Sequence, residues 1–273
     1  MHKTKISECK QLRIYVPEPK GNVVYLHGFT SRFENHLKNL KNLKDYNVFA
    51  INIPGHGESP FKDESELNSE AFAHFYKEFI EELKLDKVIL YGISMGGGIA
   101  IILQSLLPKD MVEKIILVNP CSRKKDFDPQ EYLTNQNAND ISKMIPESIE
   151  DSKEIVNRLF YDAKSFFKTQ ENYDLYLNDY YKSLANLKHL KSMLDLKLRA
   201  RIGKLNSQSI QKIQAPTLLI VGENDKLVPS EKTIENFKDH PHVKTIIIPK
   251  TGHMPHLENP FVYWSQIFDF LNK

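Results

Sequence analysis

The chain has 273 residues, 41% of them hydrophobic and 26% charged, usage that excludes a disordered, fibrous or repeat protein and allows a sizeable core. Lys and Arg number 37 against 35 Asp and Glu, a net charge of +2 with the two signs interspersed, so no basic stripe points to nucleic acid as a partner. The two cysteines, Cys9 and Cys121, match neither a disulfide framework nor a metal-ligand spacing and suit a reducing compartment.

Residues 1–11 are polar and have no apolar stretch of signal-peptide type, which agrees with a cytoplasmic location. Two apolar runs follow, Asn22–Leu26 ending at His27-Gly28, and 46–53 ending at Pro54-Gly55-His56-Gly57; both read as buried strands closed by glycine turns. Between them Phe33, Leu37, Leu40 and Leu43 recur at helical spacing, with Ser31 as the expected N-cap. Residues 69–83 carry Phe72, Phe75, Tyr76, Phe79, Ile80 and Leu83 on one helical face.

The uncharged run 88–107 is about as long as a membrane-spanning helix requires. Its β-branched start and the glycines Gly92, Gly96, Gly97 and Gly98 read instead as a strand, a sharp turn and a buried helix, and no stable membrane span is expected. A further strand is expected over 115–118. From 121 to 210 strand-type runs disappear and helical segments rich in Lys, Asn, Asp and Tyr replace them. Strands resume at 217–221 and 244–248, and an amphipathic helix, Pro260–Leu271, closes the chain. Alternation of this kind predicts an α/β protein with a mostly parallel central sheet, helices on both faces, and the site at the carboxyl ends of the strands. The expected division is a core of 1–120 and 211–273 with a helical cap insertion of 121–210.

Gly92-Ile93-Ser94-Met95-Gly96 matches G-x-S-x-G and stands between a strand and a helix, the context that motif needs. A serine on so tight a turn leaves no room for neighbouring side chains and sits near a helix N-terminus, where developing negative charge is favoured. The plainer reading, a serine that only caps the helix, does not require glycines on both sides. Serine is a weak nucleophile without a histidine to take its proton and an acid to orient that histidine. Of ten histidines, His253 lies in a loop directly after a late strand, with His256 as the near alternative. Asp225 follows the strand 217–221 through Gly222-Glu223-Asn224, with Glu223 as its competitor. The order Ser94, Asp225, His253 is the one such sheets use.

By His27-Gly28-Phe29, Pro54-Gly55-His56-Gly57-Glu58-Ser59, Gly92-Ile93-Ser94-Met95-Gly96-Gly97, Gly222-Glu223-Asn224-Asp225 and Gly252-His253, the chain resembles the α/β-hydrolases, in particular the bacterial esterase/lipase group. The resemblance implies the α/β-hydrolase fold and a carboxylesterase or lipase acting on small-to-medium acyl esters through an acyl-enzyme on Ser94. It also implies an oxyanion hole made by the backbone N–H groups of Phe29 and Met95, and structural roles for His27 and His56. Serine at the elbow argues against dehalogenases and epoxide hydrolases. A C–C bond hydrolase, a cofactor-free perhydrolase and a ligand receptor of low turnover are the alternatives. No metal or cofactor is expected, and the partner is a small-molecule ester. The aromatics Phe160, Tyr161, Phe166, Phe167, Tyr173, Tyr176, Tyr180 and Tyr181 would either line an acyl pocket or form the core of the cap.

Overall fold

The computed structural model describes residues 3–134 and 142–273. One seven-stranded sheet is built from β1 (Gln11–Ile14), β2 (Asn22–Leu26), β3 (Asn47–Ile51), β4 (Val88–Ile93), β5 (Val112–Val118), β6 (Thr217–Gly222) and β7 (Val243–Ile248), in the order β1-β3-β2-β4-β5-β6-β7. All pairings are parallel except that of β1 with β3. The chain leaves β2 toward β3 on one side and returns to β4 on the other, so a crevice opens at the carboxyl ends of β2 and β4. The alternation of β4 assigns its side chains to two cores. Val88 and Leu90 pack with α2 (Ser69–Glu82) and α3 (Met95–Gln104), while Ile89, Tyr91 and Ile93 pack with Tyr263 and Ile267 of α11 (Pro260–Leu271).

The amphipathic face expected over 69–83 forms α2. Asn68 caps it, its side chain accepting from the backbone N–H groups of Glu70 and Ala71, and Phe72, Tyr76, Phe79 and Ile80 are fully buried. The uncharged run 88–107 divides into β4 and α3, and among the described residues no helix is long and apolar enough to cross a membrane. One expected helix is shorter than its spacing suggests. Phe33–His36 is a 3-10 turn that leads into a single α-turn, α1 (Leu37–Leu40), and Ser31 does not cap it. The Ser31 hydroxyl is bonded instead to His36 Nε2 at 3.3 Å, and the N–H of Phe33 donates to Asn52 Oδ1 at 2.9 Å. A tertiary acceptor from the end of β3 thus replaces the local cap.

Between β5 and β6 lie α4 (Pro129–Thr134), α5 (Ile149–Leu159), α6 (Ala163–Phe167), α7 (Gln170–Leu184) and α8 (Leu196–Ile210). Helices α5, α6 and α7 share a core of their own in which Phe160 stacks on Phe166 at 4.6 Å and Phe167 lies tilted against Tyr176 at 4.7 Å. Leu227, from the loop after β6, joins that core. Helix α8 packs on α3, where Gln104 Nε2 donates to the Ser209 carbonyl at 2.9 Å. Three short or late helices complete the chain: α9 (Ser230–Asn236), α10 (Pro255–Glu258) and α11.

Several imidazoles are wholly enclosed at the carboxyl end of the sheet. Burial lowers His27 and His256 from 6.5 to about 4, and depresses His36 and His56 in the same direction. Because the folded state holds these rings neutral, their stabilising effect is complete above pH 6.5 and is lost as pH falls toward about 4. Each of the two is worth roughly 3 kcal/mol across that window. Thermal unfolding followed from neutral pH downward should show Tm falling steeply below the ordinary histidine range. A Tm that stays level down to about pH 4 would rule out their burial as neutral rings.

Candidate active site

Ser94 stands between β4 and α3 with φ 56° and ψ −119°, a conformation an L-residue adopts only at a cost of roughly 1–3 kcal/mol. Its backbone is held on both sides: Ser94 N–H donates to the Val118 carbonyl at 2.9 Å, and its carbonyl accepts from Cys121 N–H at 2.9 Å and Gly98 N–H at 3.1 Å. The flanking glycines follow from contact distances. A Cβ on Gly92 would lie 2.4 Å from the Gly96 carbonyl oxygen, and one on Gly96 would lie 2.1 Å from the Leu26 carbonyl oxygen. The first turn of α3 therefore rests directly on the end of β2.

That contact brings the loop after β2 beside the elbow. His27 Nδ1–H donates to the Gly28 carbonyl at 2.9 Å, and Ile53 N–H donates to His27 Nε2 at 3.3 Å. Ser31 N–H also donates to the Gly28 carbonyl, at 3.2 Å. A planar trans peptide whose carbonyl is drawn one way presents its N–H the other way, which here is the N–H of Phe29. The N–H groups of Phe29 and Met95 have no acceptor among the described residues. Met95 owes this to its place at the first position of a helix.

His253 and Asp225 are brought together from the loops after β7 and β6. His253 Nδ1–H donates to Asp225 Oδ2 at 2.6 Å, with the two side chains 4% and 0% exposed. Asp225 Oδ1 accepts from Leu227 N–H and Val228 N–H, both at 2.8 Å, so neither carboxylate oxygen lacks a donor. With its Nδ1 proton so engaged, the neutral ring keeps Nε2 as an acceptor. Glu223 is directed elsewhere, accepting from Lys250 N–H at 3.0 Å. His256 is buried with its ring 5.3 Å from that of His36, and its Nδ1 has no partner. No hydrogen bond joins Ser94 Oγ to His253 among the described residues; the Ser94 hydroxyl lies against the thiol of Cys121. Cys121 opens onto the cavity, and its enclosure within the fold pushes the thiol up, an effect that Arg123 and the Ser94 hydroxyl partly offset. The cavity beside Ser94 measures about 830 Å³ and has an apolar wall of Phe29, Met95, Ile102, Met193, Leu194 and Ile202. Of the eight aromatics expected at the pocket or in a helical core none lines it: Phe160, Phe166, Phe167, Tyr173, Tyr176 and Tyr180 share a core, while Phe127 and Tyr132 do line the cavity.

A sequence profile of the alpha/beta hydrolase fold matches residues 21–260. The chain belongs to the α/β-hydrolase fold family. It is 28% identical over 257 residues to the protein named "Putative esterase/lipase 1" of Mycoplasma pneumoniae, covering 93% of this chain and 92% of that one. Among solved structures, it resembles an esterase from Exiguobacterium antarcticum, with a TM-score of 0.75 at 17% identity over 99% of both chains. It also resembles a meta-cleavage product hydrolase from Pseudomonas fluorescens, with a TM-score of 0.78 at 18% identity, covering 100% of this chain and 97% of that one.

In this α/β hydrolase two residues that tie these loops together escaped the sequence reading. Asn119, directly after β5 and 1% exposed, accepts from Gly222 N–H at 2.9 Å through Oδ1. Through Nδ2 it donates to the carbonyls of Gly252 and His253 at 3.3 and 3.1 Å. One amide thus ties the ends of β5, β6 and β7 together beneath Asp225 and His253. Glu258 is the second: it accepts from Gly252 N–H and Tyr161 N–H, both at 2.7 Å, and burial raises its pKa. A polar residue ending an apolar strand and preceding Pro120 was the available signal for Asn119; Glu258 had none. Replacing Asn119 by Ala strands a buried N–H and two carbonyls, and should cost on the order of 1–3 kcal/mol. A urea midpoint equal to that of the unaltered protein would show that the bridge contributes nothing.

Proposed function

We propose that this hydrolase is a serine carboxylesterase acting on small-to-medium acyl esters, with Ser94 as nucleophile, His253 as general base and Asp225 as the orienting acid. The observation that carries this reading is the 2.6 Å bond from His253 Nδ1 to a fully enclosed Asp225, beside a serine held at positive φ. Asp225 fixes the tautomer in which Nε2 can accept a proton and offsets the imidazolium charge once it does. The Ser94–His253 contact closes when substrate fills the site.

In the first half-reaction Ser94 Oγ attacks the ester carbonyl as its proton passes to His253 Nε2. The resulting oxyanion is received by the N–H groups of Phe29 and Met95, each worth a few kcal/mol of transition-state stabilisation. The tetrahedral species collapses to the acyl-enzyme, and His253 returns the proton to the departing alkoxide. Water, deprotonated by His253, then attacks the acyl carbon; collapse releases the acid and restores Ser94. The cavity of about 830 Å³ and its apolar wall suit a short or medium acyl chain. The helices of 121–210 serve in this reading as a cap on a core of 1–120 and 211–273. Leu159 of α5 accepts from His253 N–H at 2.7 Å, so the cap also steadies the base. The free thiols Cys9 and Cys121 fit a cytoplasmic setting.

Intact-mass labelling with a fluorophosphonate, beside turnover of p-nitrophenyl esters of increasing acyl length, tests the assignment. Stoichiometric labelling should vanish in Ser94→Ala, and Asp225→Asn should lower kcat by about 10⁴. Glu223→Gln should leave kcat near that of the unaltered enzyme. Labelling that survives Ser94→Ala would remove Ser94 as the nucleophile, and labelling without turnover of any ester would favour the C–C bond hydrolase, perhydrolase or receptor readings.

A further inference from the structure

Beyond Cys121 the cavity wall carries two guanidinium groups. Arg123, on the loop after β5, and Arg199, in α8, both line the cavity and both stack on the ring of Tyr132, at 5.4 and 5.5 Å from its centroid. Arg123 also lies over Phe127 at 5.6 Å. Neither guanidinium forms an ion pair among the described residues. Among the described residues the only hydrogen bond from the Arg123 side chain runs from Nη1 to the Ser122 carbonyl at 2.9 Å, and its Nε is buried without an acceptor. The Tyr132 hydroxyl, on the same wall, is also buried without a partner among the described residues. Among the described residues no acidic side chain on the wall forms an ion pair with either arginine: Asp128 accepts from Gln130 N–H at 2.8 Å, and Glu235 lies 3.9 Å from Lys238.

The pair is held by the backbone. A Cβ on Gly203, one turn beyond Arg199, would lie 2.7 Å from the Phe127 ring and 3.4 Å from Arg123 Cγ, so a helical glycine lets Phe127 and Arg123 lie flat on α8. On the same helix Asn206 Oδ1 accepts from Arg123 N–H at 3.0 Å, while its Nδ2 reaches the carbonyls of Gly98 and Cys121 at 3.4 Å. Two guanidinium groups over the ring of one tyrosine on the cavity wall, with no ion pair among the described residues, leave donors for an anion, and the planar fork of each matches a carboxylate or a phosphate. Cys121 N–H is bonded to the Ser94 carbonyl, and Ser94, Cys121, Arg123 and Arg199 line the same cavity.

We propose that Arg123 and Arg199, with the Tyr132 hydroxyl, form a subsite for an oxyanion, a carboxylate or a phosphate, carried by the substrate of this enzyme. Which bond is cleaved rests on the esterase reading above; recognition of the anion does not.

The test uses two esters of equal acyl length that differ in charge, mono-p-nitrophenyl glutarate and p-nitrophenyl valerate, together with calorimetric titration of glutarate and of inorganic phosphate into Ser94→Ala. The glutarate ester should be preferred by about tenfold or more in kcat/KM, mainly through KM. The ratio between the two esters should collapse toward one in Arg199→Gln and in Arg123→Gln, and Arg199→Lys should keep part of it. Glutarate or phosphate should bind Ser94→Ala, and binding should disappear when Arg199→Gln is added; the tighter of the two identifies the class of anion. Valerate turnover without preference, and without binding of either anion, would overturn the subsite and leave the esterase standing. Arginine-dependent anion binding with no ester turnover would keep the subsite and overturn the esterase.

Discussion

The close approach of the end of β2 to the first turn of α3 is the constraint on which the rest of the site depends. A Cβ on Gly96 would lie only 2.1 Å from the Leu26 carbonyl oxygen, so the elbow can form only with glycine where the backbones nearly touch. Ser94 takes its positive φ at this elbow, and the N–H of Met95 falls at the first position of the helix that follows. His27 completes the arrangement by holding the Gly28 carbonyl back. A locally unfavourable residue is thereby tolerated because the hydrogen bonds of its own peptide groups to Val118, Cys121 and Gly98 over-determine it.

The other half of the site depends on polar groups buried at the ends of β5, β6 and β7. Asp225 and His253 come from separate loops, and a loop alone would not hold them at 2.6 Å. Asn119 and Glu258 supply the rigidity, each satisfying backbone groups that would otherwise be stranded in a dry interior. Tyr161 N–H and the Leu159 carbonyl extend that network into α5 and the residues after it. Stability of the helical insertion and orientation of the histidine are therefore coupled through a few backbone contacts.

Most of the sheet was legible in the sequence because buried parallel strands are continuous apolar runs, and β2 through β7 each contain one. The short edge strand β1, Gln11-Leu12-Arg13-Ile14, escaped because it is antiparallel, alternates in polarity and spans only four residues. Phe33, Leu37, Leu40 and Leu43 do face the core as their spacing implied, yet Asn52 draws the segment into a 3-10 turn and a single α-turn. Periodicity reports which side chains are buried; it does not report what the intervening backbone bonds to.

The same distinction separates what the sequence determined about the site from what only the tertiary structure decided. Ser94 was legible because its glycines answer to local sterics that any strand-to-helix elbow imposes. Asp225 against Glu223, and His253 against His256, were open in the sequence, since each pair lies within three residues on one loop. Packing gives the members of each pair different partners: Leu227 and Val228 turn their N–H groups onto Asp225, which His253 also bonds, while Glu223 reaches Lys250 and His256 is sealed against His36. Arg123 and Arg199, 76 positions apart in sequence, came onto one wall only when the segment after β5 lay against α8 at Gly203. Chemistry confined to one turn is encoded by neighbours in the chain, whereas chemistry shared between loops exists only once burial has brought them together.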